Sequence, residues 1–369
     1  MSRSHSARSR STRTALAGAA GLSGAALLLV SGCTPTTGAS PVSDAASASG
    51  PAEAAAAQAD TSAQGLQSAY QQTVKAVLPS VVQITTSQDL GSGVVYDSKG
   101  DIVTNAHVVG DAKNFQVSLA TGGKPLAATL VSSFPANDLA VVRLSSPPKS
   151  LKPASFADTS KVGVGELVLA MGNPLGLSSS VTEGIVSATG RTVSEGESGG
   201  GTGATIPDMV QTSAAINPGN SGGALVSLDN QVIGIPTLAA TDPQLGSGAA
   251  PGIGFAIPSS TVKRIADQII EHGKVTDSGR AALGVTVRGV VGENFQPAGV
   301  AIVTEEKNGA AAKAGLKAGD VITRVGNTQI TTVQSLSEAL AALRPGDKTK
   351  VTYTRGTSTK TAEVTLGSL

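Results

Sequence analysis

Apolar positions along this chain fall mostly into short Val- and Ile-rich runs, broken by Gly, Asn and Asp, a rhythm that predicts strands and tight turns. Six runs come first, at residues 81–87, 93–97, 102–105, 115–120, 127–132 and 139–144, with Asp97-Ser98-Lys99-Gly100 as a hairpin turn. After Asp158 the pattern repeats at 167–172, 181–188, 209–212, 224–227, 232–238 and 253–257, with Asp229-Asn230 as another turn. Six short strands at this spacing close into a small barrel, which removes exposed edges. The reading is therefore an all-β body of two six-stranded barrels, about 79–160 and 161–258. Helical periodicity appears in three places. Residues 66–78 repeat Leu66, Tyr70, Val74 and Leu78 before Pro79. Residues 259–272 place Val262, Ile265, Ile269 and Ile270 on one face, with Ser259 or Ser260 as cap and Gly273 as stop. Residues 333–343 align Val333, Leu336, Leu340 and Leu343.

Composition sharpens this picture. With no Trp, 5 Phe, 3 Tyr and 45 Gly in 369 residues, the core rests on Val, Ile, Leu and Ala. The formal charge of +1 hides an asymmetry, because Arg3, Arg8, Arg10 and Arg13 all precede the apolar stretch 15–30. Without them Lys plus Arg falls from 27 to 23 against 26 acids, a balance of about −3. Nothing here resembles a nucleic-acid surface. Residues 1–33 read as a targeting segment, too short and too rich in Ala and Gly for a span of about 20 apolar residues. The ending Val30-Ser31-Gly32-Cys33 resembles a bacterial lipobox, and Cys33, the single cysteine, is the expected lipidation site. An ordinary signal peptide or an uncleaved anchor with an incidental Cys is the alternative. Residues 34–65, nearly all Ala, Ser, Thr, Pro and Gly, read as a disordered tether, followed by the body at 66–272, a linker at 273–279 and a last domain at 280–369.

Chemistry enters with Ile216-Asn217-Pro218-Gly219-Asn220-Ser221-Gly222-Gly223-Ala224-Leu225. Glycines around the serine permit positive φ and leave the Gly219 and Ser221 N–H groups able to converge, as an oxyanion hole requires. Taken alone the stretch is as readily a Gly-rich turn. A base must be found, and the chain holds 3 His: His5 in the targeting segment, His272 at a helix end where a dipole role suffices, and His107 directly after a strand. Asp138 opens an apolar strand and is either a turn residue or the carboxylate that orients the imidazole. His107, Asp138 and Ser221 run in the order of chymotrypsin-like proteases, unlike subtilisin or the α/β-hydrolases.

These residues, with Gly91-Ser92-Gly93, residues 104–109 and 137–142, Gly172-Asn173-Pro174-Leu175-Gly176-Leu177, Gly184-Ile185-Val186-Ser187 and Gly254-Phe255-Ala256-Ile257-Pro258, resemble the HtrA (Deg) serine proteases over about 70–365. The resemblance implies a chymotrypsin-like double barrel followed by an α+β PDZ domain. It makes His107 the base, Asp138 its orienting acid, Ser221 the nucleophile, and Gly219, Asn220 and Ser221 the oxyanion hole. The expected substrate pocket is Ala214, Ala215, Ile235, Pro236 and Thr237, suited to small aliphatic side chains, and no Asp or Glu lies between Asp208 and Ser221 to make it acidic. Ala282, Leu283, Gly284, Val285, Leu336 and Leu340 are the expected PDZ peptide site. The implied activity is acyl transfer on unfolded or damaged proteins outside the cytoplasmic membrane, gated by C-terminal peptides, with no metal or cofactor. A homotrimer is also implied, with Tyr70 at the family's contact region. The other class weighed is a peptide-binding chaperone with negligible proteolysis. Two features depart from or modulate the pattern: Ser213 stands where the family usually has Asp, and the loops 194–204 and 238–251 are Gly-rich.

Overall fold

The computed structural model describes residues 51–86, 89–173, 180–194, 204–217, 219–242, 248–292 and 295–369. Cys33, the targeting segment, residues 174–177 of the Gly172–Leu177 motif and the segment 195–203 of the first Gly-rich loop lie outside the described residues. The first helix, α1 (Pro51–Val77), begins inside the run read as tether, in an Ala-rich segment of high helix propensity. It ends in a 3₁₀ turn, Leu78–Ser80, where Pro79 cannot continue the α-helix. Val77 is buried, and Tyr70, Val74 and Leu78 pack beside it, whereas Leu66 is exposed. Among the described residues no helix is long and apolar enough to cross a membrane.

The first barrel comprises β1 (Val81–Thr85), β2 (Leu90–Val95), β3 (Asp101–Thr104), the single-turn helix α2 (Ala106–Val109), β4 (Asn114–Leu119), β5 (Leu126–Phe134) and β6 (Leu139–Leu144). Its strands close in the order β1-β2-β3-β6-β5-β4. Val82, Ile84, Ile102, Val117 and Val142 fill the interior. A Cβ at Gly93 would lie 2.7 Å from Ile102 and 2.8 Å from Ile84, so glycine is what allows these aliphatic side chains to meet there. The turn at 97–100 forms as expected, with the Asp97 carboxylate accepting the Lys99 N–H at 2.9 Å and the Asp101 N–H at 3.0 Å.

The second barrel uses β7 (Ser155–Phe156), β8 (Leu167–Gly172), β9 (Ser180–Ser194), β10 (Thr205–Thr212), β11 (Ala224–Ser227), β12 (Gln231–Asp242) and β13 (Gly248–Pro258). The order β11-β8-β9-β10-β13-β12 closes through a β11–β12 pairing, and β7 adds to the edge of β12. Much of the expected loop 238–251 is strand, and its centre, 243–247, lies outside the described residues. Helix α3 (Ser259–His272) then crosses both barrels. Its Val262, Ile265 and Ile269 join Val81, Val103 and Val141 of the first barrel and Leu169, Met171 and Ile235 of the second in one buried cluster. The strands that contribute to it are thus buried on both faces, which is why they read as continuous apolar runs.

Neither expected serine caps α3. Pro258 is the N-cap residue, the Ser259 hydroxyl donates to the Ala157 carbonyl at 2.8 Å, and the Ser260 hydroxyl accepts the Thr159 N–H at 3.1 Å. Tertiary partners have outcompeted the local cap. The stop at Gly273, with φ of 71°, forms as expected.

The last domain contains β14 (Ala281–Ala282), β15 (Val285–Val291), β16 (Pro297–Glu305), α4 (Ala310–Lys313), β17 (Val321–Val325), β18 (Thr328–Gln329), α5 (Val333–Ala341), β19 (Lys348–Arg355), β20 (Ser358–Thr365) and β21 (Gly367–Ser368). Five strands run β15-β16-β17-β19-β20, and β14 pairs with β21. Val300, Ile302, Ile322, Val351, Val364 and Leu336 make the core. Thr332 and Ser335 form a capping box at the start of α5. Leu336 is buried while Val333 is 40% exposed, so the apolar stripe of this helix is narrower than its periodicity suggested. The barrels and this domain belong to one unit, Ala56–Leu369.

Candidate active site

Asn105 precedes the single-turn helix α2, which presents His107 at the end of β3. A 3₁₀ turn, Pro135–Asn137, ends in Asp138 at φ 48°, ψ 43°, a left-handed conformation that Asp tolerates better than most residues. This bend turns the Asp138 carboxylate toward α2. Its Oδ1 accepts the His107 backbone N–H at 3.0 Å, and its Oδ2 accepts Nδ1–H of the imidazole at 2.9 Å. Asn105 Nδ2 donates to the Asp138 carbonyl at 3.0 Å. The Asp138 side chain is fully buried and that of His107 is 20% exposed. Held in this way, the imidazole keeps its proton on Nδ1 and presents Nε2 as the acceptor nitrogen.

Ser221 comes from the other barrel, in the turn before β11. Its hydroxyl donates to the Thr237 carbonyl at 3.2 Å. The Thr237 hydroxyl in turn donates to Asp138 Oδ2. One residue of β12 therefore touches both the serine and the carboxylate. Thr237, expected in the substrate pocket, is instead 4% exposed and committed to this network.

The turn around Ser221 is built for convergent donors. Gly219 has φ of 107° and Gly222 has φ of 78°. The Gly222 N–H donates to the Pro236 carbonyl at 2.9 Å and the Gly223 N–H to the Asn220 carbonyl at 3.0 Å. Among the described residues the Gly219 and Ser221 N–H groups meet no acceptor. Asn220, expected as a third donor, does not serve as one: its N–H donates to Asn217 O at 3.1 Å. Its side chain is also spent, accepting the Asn217 N–H at 3.0 Å and donating to Ala215 O at 3.1 Å. Asn220 shapes the loop because a buried amide must satisfy its own polar atoms first.

Of the other expected pocket residues, Ala215 is exposed and Ala214 is buried beside it. A Cβ at Gly184 would lie 2.2 Å from the Ala214 nitrogen, so β9 approaches this wall only because residue 184 is glycine. Ile235 is fully buried in the cluster under α3, and Pro236 is buried as well. Ser213 bonds twice to Ile185, donating its N–H at 3.1 Å and accepting the Ile185 N–H on its hydroxyl at 3.0 Å. A neutral hydroxyl acceptor therefore stands where the family usually has a carboxylate.

Ala282, Leu283, Gly284, Val285, Leu336 and Leu340 all line one groove of about 420 Å³. Its other wall is Pro135, Ala136, Ala204 and Thr205, so the turn leading to Asp138 borders the groove. Arg280 bridges the two walls, donating to the Ala136 carbonyl, to Thr205 O at 2.6 Å and to Asn137 Oδ1 at 3.5 Å. Burial pushes its guanidinium down to about 10. Sequence reasoning passed over Arg280, Asn105 and the acid-binding role of Thr237, because their partners lie far away in the chain.

The description "trypsin-like peptidase domain" matches residues 91–235, and "PDZ domain" matches residues 281–366. A probable periplasmic serine endoprotease, DegP-like, of Brucella suis is 39% identical over 285 residues, 76% of this chain and 52% of that protein. The chain thus spans about half the length of that relative. Serine protease Do-like HtrA of Lactococcus lactis subsp. cremoris is 41% identical over 293 residues, covering 75% of this chain and 70% of its own length. Among solved structures, the HtrA-type protease AlgW with a decapeptide is 30% identical and has a TM-score of 0.55, covering 81% of this chain and 98% of that one.

Proposed function

Because the chain belongs to the HtrA family of serine proteases, we propose that it is an extracytoplasmic serine endopeptidase that cuts unfolded or damaged proteins, with activity governed by peptides bound in the groove of its PDZ domain. The observation that carries this reading is the Asp138–His107 pair at 2.9 Å, joined through Thr237 to a serine from the other barrel whose own N–H and that of Gly219 meet no acceptor among the described residues. In the reaction, the Ser221 hydroxyl rotates from the Thr237 carbonyl to His107 Nε2, gives up its proton and attacks the scissile carbonyl. The carbonyl oxygen becomes the oxyanion held by the Gly219 and Ser221 N–H groups. His107 then protonates the leaving amine and later activates the water that releases the acyl group from Ser221. Asp138 keeps the imidazole oriented throughout and stabilises its charged form. Ala214 and Ala215 at the approach to the serine favour small aliphatic side chains before the cut.

The basic and apolar N-terminal segment ending in Cys33 supports export and lipid anchoring, and the family suggests a homotrimer. The name of the Brucella relative, a probable periplasmic endoprotease, supports the same side of the membrane. The test is incubation of the purified chain with unfolded β-casein, beside Ser221→Ala, with and without peptides ending in an apolar residue. Wild-type cleavage, lost in the variant and accelerated by peptide, is expected. Peptide binding without Ser221-dependent cleavage would instead make the protein a peptide-binding chaperone.

A further inference from the structure

Ser92 sits on β2 of the first barrel and is fully buried. Its three polar atoms make four hydrogen bonds, two of them to the loop that carries Ser221. The Ser92 N–H donates to Ser221 O at 3.0 Å, and its hydroxyl donates to Gly219 O at 2.5 Å. The same hydroxyl accepts the Asn173 N–H at 2.8 Å, and the Ser92 carbonyl accepts the Thr104 hydroxyl at 2.6 Å.

The consequence lies in the peptide planes. The Gly219–Asn220 peptide has its carbonyl on Ser92 and its N–H on Asn217 O. The Ser221–Gly222 peptide has its carbonyl on Ser92 and its N–H on Pro236 O. Both are pinned at each end, and the plane that carries the Ser221 N–H lies between them. Gly219, at φ 107°, supplies no steric resistance of its own to rotation about this turn. We infer that Ser92 is a positioning residue for the oxyanion hole, the first barrel's hold on the direction in which the second barrel's N–H groups point. There is no room for a substitute from the loop itself: a Cβ at Gly222 would lie 2.3 Å from the Ser92 carbonyl. This inference rests on the proposed role of Ser221 and deepens it.

The test compares full-length wild type, Ser92→Ala and Ser92→Thr, with Ser221→Ala alongside, by steady-state cleavage of a peptide substrate. A peptide boronate that mimics the tetrahedral adduct and a cleaved product peptide serve as binding probes. Ser92→Ala should lower kcat by about 10–100-fold with KM within about threefold, since misaligned donors fail mainly in the transition state. Boronate affinity should fall by the same factor as kcat/KM, product-peptide affinity should hold, and Ser92→Thr, which keeps the hydroxyl, should recover most of the loss. Should Ser92→Ala fail to fold by circular dichroism, Ser92→Cys, similar in size but a weak hydrogen-bonding group, takes its place. Unchanged kcat and boronate affinity, or a parallel loss of boronate and product binding, would overturn the assignment. Wild-type turnover indifferent to Ser221→Ala would overturn the proposed function instead, and this inference with it.

Discussion

Thr237→Val isolates what holds a buried carboxylate in the candidate active site. Asp138 is fully buried and accepts three bonds: the His107 N–H, the His107 Nδ1–H and the Thr237 hydroxyl. Valine nearly reproduces the shape of threonine and removes only the third donor. A hydrogen bond to a charged group contributes about 1.5–3 kcal/mol, and Thr237 is too buried for water to replace it readily, so folding stability should drop by about that amount. For a body of this size the loss corresponds to a melting temperature lower by roughly 3–12 °C. Catalysis should suffer less, by under about tenfold in kcat/KM, because both His107 bonds and the Ser221–Thr237 carbonyl contact survive. Calorimetry and steady-state cleavage of one peptide measure the two effects separately. A double-mutant cycle sharpens the result: in an Asp138→Asn background, which has no carboxylate charge left to stabilise, Thr237→Val should cost much less. An unchanged melting temperature would refute the argument from charge. A hundredfold loss of kcat at unchanged stability would show instead that the hydroxyl acts through geometry.

Two other regions respond in defined ways. Arg280→Ala removes the donors from the Ala136 and Thr205 carbonyls and so disconnects the groove from the turn before Asp138. Calorimetric titration should still detect peptide binding, while peptide stimulation of cleavage should shrink several-fold; undiminished stimulation would exclude this route. In the PDZ domain, burial alone would raise the Asp320 carboxyl, but bonds from Arg355 at 2.6 and 2.8 Å and from the Lys317 N–H at 2.8 Å hold it below its ordinary 3.8. A carboxylate with a depressed folded pKa contributes stability that is fully present above 3.8 and lost as pH falls through the folded value. Urea midpoints between about pH 5 and pH 2 should therefore fall for wild type and fall less steeply for Asp320→Asn.

What the sequence disclosed and what it withheld divide along a physical line. Strand runs, the hairpin at 97–100 and the succession His107, Asp138, Ser221 are local or ordered signals, and each is where alternation, turn chemistry and residue type placed it. The α3 serines show how a local rule loses: a cap contributes about 1 kcal/mol, and Ala157 and Thr159 offered equivalent bonds within the packed body. The extra length of β9 has another cause, since its outer half carries mostly exposed residues and has no apolar rhythm to read. β12 hides its meaning more deeply. Its pairing with β11 shifts register between Leu225–Gly234 and Val226–Val232, so Val232 and Ile235, three apart, both enter the core between the barrels. Strict alternation would have sent them to opposite faces. A second shift, in the pairing of β12 with β13 between Pro236 and Leu238, falls at Thr237, whose hydroxyl reaches Asp138, which no reading of residues 231–242 in isolation could foresee. Ser92 and Arg280 are illegible for the same reason. A serine between two glycines and an arginine near a linker acquire specific roles only when β2 is laid against the Ser221 turn and β14 against the Pro135–Asn137 turn. In this protein the groups proposed to react are read from residue type and order. The groups that aim them are ordinary polar side chains, given their roles by topology, and they are where a single hydroxyl or guanidinium can be removed to learn how the site is held.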